Sequence, residues 1–127
     1  SEKLMAKKTV TLIPSTTFGS AVGNYDGSSL SFTSDKHKGD GYYGYADGSH
    51  TVAMFPTILE ATIRIQATLA TEPVDSDWFD VDNVILGNDS TAQSTATTFT
   101  FTGNFVWIRA KVTDFQAGTI TKVQYLN

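Results

Sequence analysis

The sequence predicts an all-β fold, an antiparallel β-sandwich of jelly-roll or related Greek-key type built from eight to ten short strands. Three observations predict it. The chain carries nineteen Thr with many Val, Ile, Phe and Tyr, the residue types that suit a pleated, half-buried surface. Its apolar residues alternate with polar ones at a period of two, and almost no window shows helical spacing. Turn-forming residues fall between the alternating runs. Strands with one apolar face need a second sheet to bury it, and a sandwich supplies one.

The elements follow in order along the chain. Val10 and Leu12 alternate with Thr9 and Thr11, and the turn Asn24-Tyr25-Asp26-Gly27 precedes a second run with Leu30 and Phe32 inward. Gly39-Asp40-Gly41 and Asp47-Gly48 punctuate the chain before the pair Val52 and Met54. From Ala61 to Leu69, Ile63, Ile65, Ala67 and Leu69 share one face while Thr62, Arg64, Gln66 and Thr68 share the other. Phe79 and Val81 begin a strand whose acids Asp80 and Asp82 face water, and Gly87-Asn88-Asp89 ends that region. The stretch from Ser90 to Thr98 reads as a loop entering a strand that carries Phe99 and Phe101. Gly103-Asn104 predicts a tight hairpin onto the next run. In that run Val106, Ile108, Ala110 and Val112 point inward, and Trp107, Arg109 and Lys111 point outward. Gly118 precedes the last segment, Thr119 to Leu126, with Val123 and Tyr125 on one face.

With 127 residues, the chain has the length of one domain, 1–127. Ser1 to Leu4 read as an expression remnant ahead of the natural-looking start at Met5. Hydrophobic residues at 40% and charged residues at 17% place the sequence among folding chains rather than disordered ones. No run approaches the ~18 apolar residues that span a bilayer, and SEKLMAKK lacks the apolar stretch of a leader, so neither a membrane protein nor a cleaved leader is expected. The absence of Cys excludes disulfides, thiol nucleophiles and Cys-ligated zinc. A net charge of -4 argues against nucleic acid as a partner.

Catalytic chemistry has little to draw on. His37 sits in the polar run Ser34-Asp35-Lys36-His37-Lys38 and His50 precedes a strand, and neither belongs to a nucleophile or metal motif. Glu60, Glu72 and the aspartates could pair in space for sugar hydrolysis, but they read far better as solvated surface acids. Asp75-Ser76-Asp77-Trp78-Phe79-Asp80-Val81-Asp82 gathers oxygen ligands of the kind calcium takes, without the bend glycine and distal glutamate of a helix-loop-helix site. Asn88-Asp89-Ser90 matches a glycosylation sequon by spacing alone. No enzyme, cofactor or metal site is expected. The candidate interaction surface is the cluster Tyr42-Tyr43-Gly44-Tyr45 together with the loop at Trp78, because such rings join a flat apolar body to a polar handle. Against that, the tyrosines could cap the end of the core, and Trp78 and Trp107 are better explained as core-edge packing.

Three strings carry a resemblance: Asn24 to Gly44 with Asp47 to Val52; Ile63 to Ala70 with Asp77 to Val81; and Phe101 to Val112 with Phe115 to Ile120. Together they resemble structural proteins of tailed marine cyanophages. That likeness implies a non-enzymatic virion component, a capsid decoration, tail or fibre part. It further implies location in the virion, other virion proteins as partners, and self-association as a homo-oligomer such as a trimer. The pattern Asp77-Trp78-Phe79, then Trp107-Ile108-Arg109 with Ala117-Gly118-Thr119-Ile120, also resembles discoidin-like, galactose-binding sandwiches. This likeness is chiefly architectural, and it implies the alternative: a carbohydrate-binding module for cell-surface adhesion, with a glycan as partner.

Overall fold

The computed structural model describes residues 9–44, 48–87 and 90–126. Ser1 to Leu4, Tyr45 and the Asn88-Asp89 pair lie outside them. The described chain forms eight strands: β1 (Thr9–Ile13), β2 (Thr16–Thr17), β3 (Phe32–Thr33), β4 (His37–Lys38), β5 (Ser49–Thr68), β6 (Phe79–Leu86), β7 (Thr97–Thr102) and β8 (Trp107–Leu126). One helical turn, α1 (Asp40–Tyr43), precedes β5, and a 3-10 turn over Asp75–Asp77 precedes β6. All eight strands are hydrogen-bonded into one antiparallel sheet.

The sheet becomes a sandwich because its two central strands fold over. β5 and β8, 20 residues each, pair from Thr51↔Leu126 to Thr68↔Trp107. Midway the register shifts repeatedly between Phe55 and Thr62, and Ile58, Asp114 and Gly118 take left-handed φ values of 46°, 53° and 89°. Bulges of this kind bend a strand sharply. One layer then holds β1 and β2, the second half of β8, the first half of β5, and β7. The other layer holds β3 and β4, the first half of β8, the second half of β5, and β6. Val52, Met54, Ile120 and Val123 from one layer join Ile63, Ile65, Ile108 and Val112 from the other in a single core, each fully buried. Each such side chain contributes about 1.5–3 kcal/mol by leaving water.

Aromatic clusters close both ends. Tyr25 meets Phe32 and Phe115 at ring distances of 5.3 and 5.0 Å near the bend. At the far end the buried His50 ring stacks with Phe101, Phe105 and Tyr125. His50 Nε2 lies 2.7 Å from the Gly103 carbonyl, which can only accept, so that nitrogen carries the proton; Nδ1 then accepts from the Tyr125 hydroxyl at 2.8 Å. Burial, and after it the nearby Asp40 and Tyr43, push the Tyr125 hydroxyl well above its ordinary pKa.

The antiparallel sandwich agrees with the sequence reading, but its strands differ in two ways. Segments that read as separate short strands, Val52 to Met54 with Ala61 to Leu69 and Trp107 to Val112 with Thr119 to Leu126, are halves of single long strands, because a bulge interrupts alternation without ending the pairing. The hairpin expected at Gly103-Asn104 does not form. β7 pairs with β5 over Ser49↔Thr102 to Met54↔Thr97, and β8 starts in the opposite layer. The Phe105 ring stands on Gly103 and fills the end of the core, which carries the chain across from one layer to the other. Val106 is accordingly half-buried ahead of the strand, whereas Ile108, Ala110 and Val112 are fully buried. Leu30 and Leu69, expected inward, lie outside the strands and are exposed.

Candidate functional site

The outer face of the layer made by β4, β8, β5 and β6 collects the functional side chains. Because β8 buries Ile108, Ala110 and Val112, the residues between them face outward. Strand register lines up Lys38, Trp107 and Thr68 in one row, Arg109, Gln66 and Asp80 in the next, and Thr33, Lys111 and Arg64 in a third. The middle row is a hydrogen-bonded chain. Arg109 Nε donates to Gln66 Oε1 at 2.8 Å, and Gln66 Nε2 donates to Asp80 Oδ1 at 3.0 Å. Arg64 Nε lies 3.9 Å from the other Asp80 oxygen. These contacts hold polar groups at fixed positions on a rigid sheet, which is what selective polar recognition requires.

Aromatic rings flank that row. The loop after β5 folds over the face so that its Thr71 carbonyl accepts from Trp107 Nε1 at 2.9 Å, and it returns to place the Trp78 ring 4.2 Å from the Arg109 guanidinium. Burial beneath it pulls Arg109 below its ordinary pKa, and the Asp75 carboxylate works in the opposite direction. On the other side α1 brings up Tyr42 and Tyr43. Gly39 and Gly41 let this turn press onto the chain at 104–105: a Cβ on Gly39 would strike the Phe105 carbonyl, and one on Gly41 would sit 2.6 Å from the Asn104 carbonyl. Gly39 and Gly41 instead donate to Val106 and Phe105 at 2.9 and 2.8 Å, and the buried Asp40 accepts from the Gly48 amide at 2.7 Å. The turn is thereby anchored with Tyr42 and Tyr43 turned outward, 43% and 44% exposed.

The result is a strip in which Tyr43, Tyr42 and Trp107 follow one another at ring distances of 5.6 and 4.9 Å. Beside it runs a groove of about 260 Å³ between the loop at Pro73 to Trp78 and the segment at Thr33 to Lys36. The structure therefore places three of the four residues singled out in the sequence, Tyr42, Tyr43 and Trp78, on one face; Tyr45 lies outside the described residues. Tyr42 and Tyr43 do not cap the core, a role taken at that end by Phe105 and Tyr125. Trp107, expected at the core edge, belongs to the outer face, as do Arg109 and Gln66. The alternation that puts Ile108 inward already carried this signal, since it forces Trp107 and Arg109 outward. Of the histidines, His50 is enclosed in the ring stack. His37 is half-buried on the inner side of β4, where burial lowers its pKa against the pull of Asp35.

No protein-family model matches the chain, and neither does any curated protein. Among solved structures it is similar to CBM29_1, a family 29 carbohydrate-binding module from Piromyces equi, at 12% identity and a TM-score of 0.45, covering 94% of this chain and 91% of that one. It is also similar to an exo-beta-1,3-galactanase from Phanerochaete chrysosporium determined with galactose, at 11% identity and a TM-score of 0.39. That match covers 94% of this chain but 29% of the galactanase.

Proposed function

We propose that the protein is a carbohydrate-binding module that holds a glycan on the outer face of this layer without cleaving it. One observation carries the reading: a strip of three partly exposed rings runs beside a hydrogen-bonded polar row on a rigid sheet. Pyranose rings present apolar C–H faces and equatorial hydroxyls, so they lie on aromatic faces while their hydroxyls reach fixed donors and acceptors. Tyr42, Tyr43 and Trp107, inclined to one another by 82° and 56°, offer aromatic faces, Trp78 walls the groove, and Arg109 and Asp80, tied together by the buried Gln66, supply the polar contacts. A glycan array tests the reading through saturable binding to at least one glycan class. Removing a stacking ring at the centre of such a site costs about 2 kcal/mol, so Tyr42→Ala and Trp107→Ala are each expected to weaken binding by roughly thirtyfold. Equal affinity in wild type and both variants would place the site elsewhere.

A second reading, a virion component that assembles as a homo-oligomer, is favoured by the opposite outer face. There the register aligns Thr9, Leu126, Thr51 and Thr100 in one row and Thr11, Gln124, Ala53 and Thr98 in the next. Thr51 and Thr100 lie 3.3 Å apart through their hydroxyls, and Thr57 and Thr121 lie 3.1 Å apart. Short Thr and Ala side chains of low conformational entropy suit protein contact, with Lys122 beside Phe55 adding a charge on the same face. Mass spectrometry of purified virions tests this reading, and absence from mature particles argues against it.

A further inference from the structure

We infer that β7 is a self-pairing edge: two copies of the chain join antiparallel through Thr98, Thr100 and Thr102, about a two-fold axis at Thr100. The inference does not depend on glycan binding, and the surface it uses is the rim of a layer rather than either outer face. The phase of the ladder between β5 and β7 shows which backbone groups face outward. The Gly103 amide donates to the Gly48 carbonyl at 2.9 Å, one step beyond the pair Ser49↔Thr102. Hydrogen-bonded pairs recur at every second residue of an antiparallel ladder, so Phe101 and Phe99 are bonded to His50 and Val52. The amides and carbonyls of Thr98, Thr100 and Thr102 therefore point away from β5, and among the described residues no strand pairs with that side. The three threonines are exposed.

An edge with outward amides and carbonyls joins other strands readily, and proteins blunt such edges with bulges, charge, proline or short length. The other edges among the described residues are blunted in these ways. β1 shifts register between Thr11 and Ile13 and runs into Pro14. β6 pairs with β5 through a register shift, holds Asn83 at a left-handed φ of 64° and exposes Asp80 and Asp82. β2, β3 and β4 are two residues long. β7 reads Thr-Thr-Phe-Thr-Phe-Thr, pairs with β5 in unbroken register, and carries no charge, proline or glycine.

A second copy of the chain fits this edge because the outward groups are symmetric about Thr100. Turned antiparallel, Thr100 meets Thr100 of the second copy, while Thr98 meets Thr102 and Thr102 meets Thr98. All the outward amides and carbonyls are then bonded at once, and threonines stand opposite threonines on the outer face. On the inner face Phe99, only partly buried against the core, comes beside Phe101 of the second copy in the closer, non-hydrogen-bonded kind of pair. Such an interface uses the same patch on both copies and closes on two. Its axis runs normal to the sheet, so the outer faces formed by β4, β8, β5 and β6 point the same way in both copies.

Sedimentation velocity of the full chain between about 10 and 500 µM tests the inference, and a reversible rise from the mass of one chain to that of two is expected. Thr98→Lys/Thr102→Lys sets like charges opposite each other at both ends of the pairing and should raise the dimer Kd about tenfold. Thr98→Lys/Thr102→Glu sets opposite charges at the same places and restores the dimer, as an antiparallel register centred on Thr100 requires. Both variants keep the circular dichroism spectrum of the parent, since both positions are exposed on an edge. A chain that stays monomeric at every concentration overturns the inference and leaves the edge to a strand of another protein. A dimer that both variants leave unchanged, or that both abolish, overturns it as well. Fibres that bind thioflavin T also overturn it, because they need open-ended rather than closed pairing.

Discussion

Ile108→Asp is expected to leave the chain unfolded at neutral pH, while Lys111→Asp, three positions along the same strand, melts cooperatively close to wild type. Ile108 is fully buried in the one core that joins the two layers, opposite Ala67 on β5 and His37 on β4. Among the described residues no Lys or Arg is buried in the core to meet a carboxylate there. Burying a lone charge costs several kcal/mol even after relaxation, against a total stability of about 5–15 kcal/mol for a domain of this size. Lys111 lies between Thr33 and Arg64 on the outer face, where an aspartate keeps its water and gains a cationic neighbour. Circular dichroism melts of the two variants decide the matter. A folded Ile108→Asp protein beside an unfolded Lys111→Asp protein means that every side chain on β8 is assigned to the wrong face.

Gly118→Ala should destabilise the protein far more than Gly19→Ala, although the two glycines have nearly the same left-handed φ. Their φ angles are 89° and 90°. At Gly19 a Cβ meets nothing within 4 Å, so its substitution reports the strain of a left-handed backbone, about 1–2 kcal/mol. At Gly118 the added carbon lands on the Ile58 carbonyl and comes within 2.7 Å of the Leu59 Cα. Relieving that clash means opening the bend at which β5 and β8 fold over, so a further 2–3 kcal/mol, roughly the cost of overpacking a core, is expected. Urea unfolding measures both. Equal losses in the two variants would mean that the bend tolerates a side chain and does not depend on close approach of the two central strands.

The all-β class and the face of each strand were legible because the alternation of strand residues is a local property. The inward sets Val52 with Met54, Ile63 with Ile65, and Ile108 with Ala110 and Val112 are all buried as the period requires. Strand partnership was not legible. Gly103-Asn104 announces that the chain turns, but a turn signal does not say which strand the chain turns onto, and the Phe105 ring on Gly103 sends β8 to the other layer. The length of β5 and β8 escaped for a related reason, since a bulge breaks the period and looks like an end.

Of the candidate site, the sequence named Tyr42, Tyr43 and Trp78 through the chemistry of their rings, and its alternation set Trp107 and Arg109 on an outer face. Only the tertiary structure decided that these residues share one face. Tyr42 reaches Trp107 across 65 positions because α1 is pinned to the chain at 104–105, and Trp78 reaches Arg109 because the loop after β5 returns over β8. By itself the sequence determined which side chains each strand turns toward the core, since that follows from a repeat two residues long, but not that Thr62, Gln66 and Thr68 on the other face of β5 are covered as well. Which exposed groups stand together was settled by contacts between segments far apart in the chain, whose energies depend on register, bend and layer order rather than on any neighbouring residue.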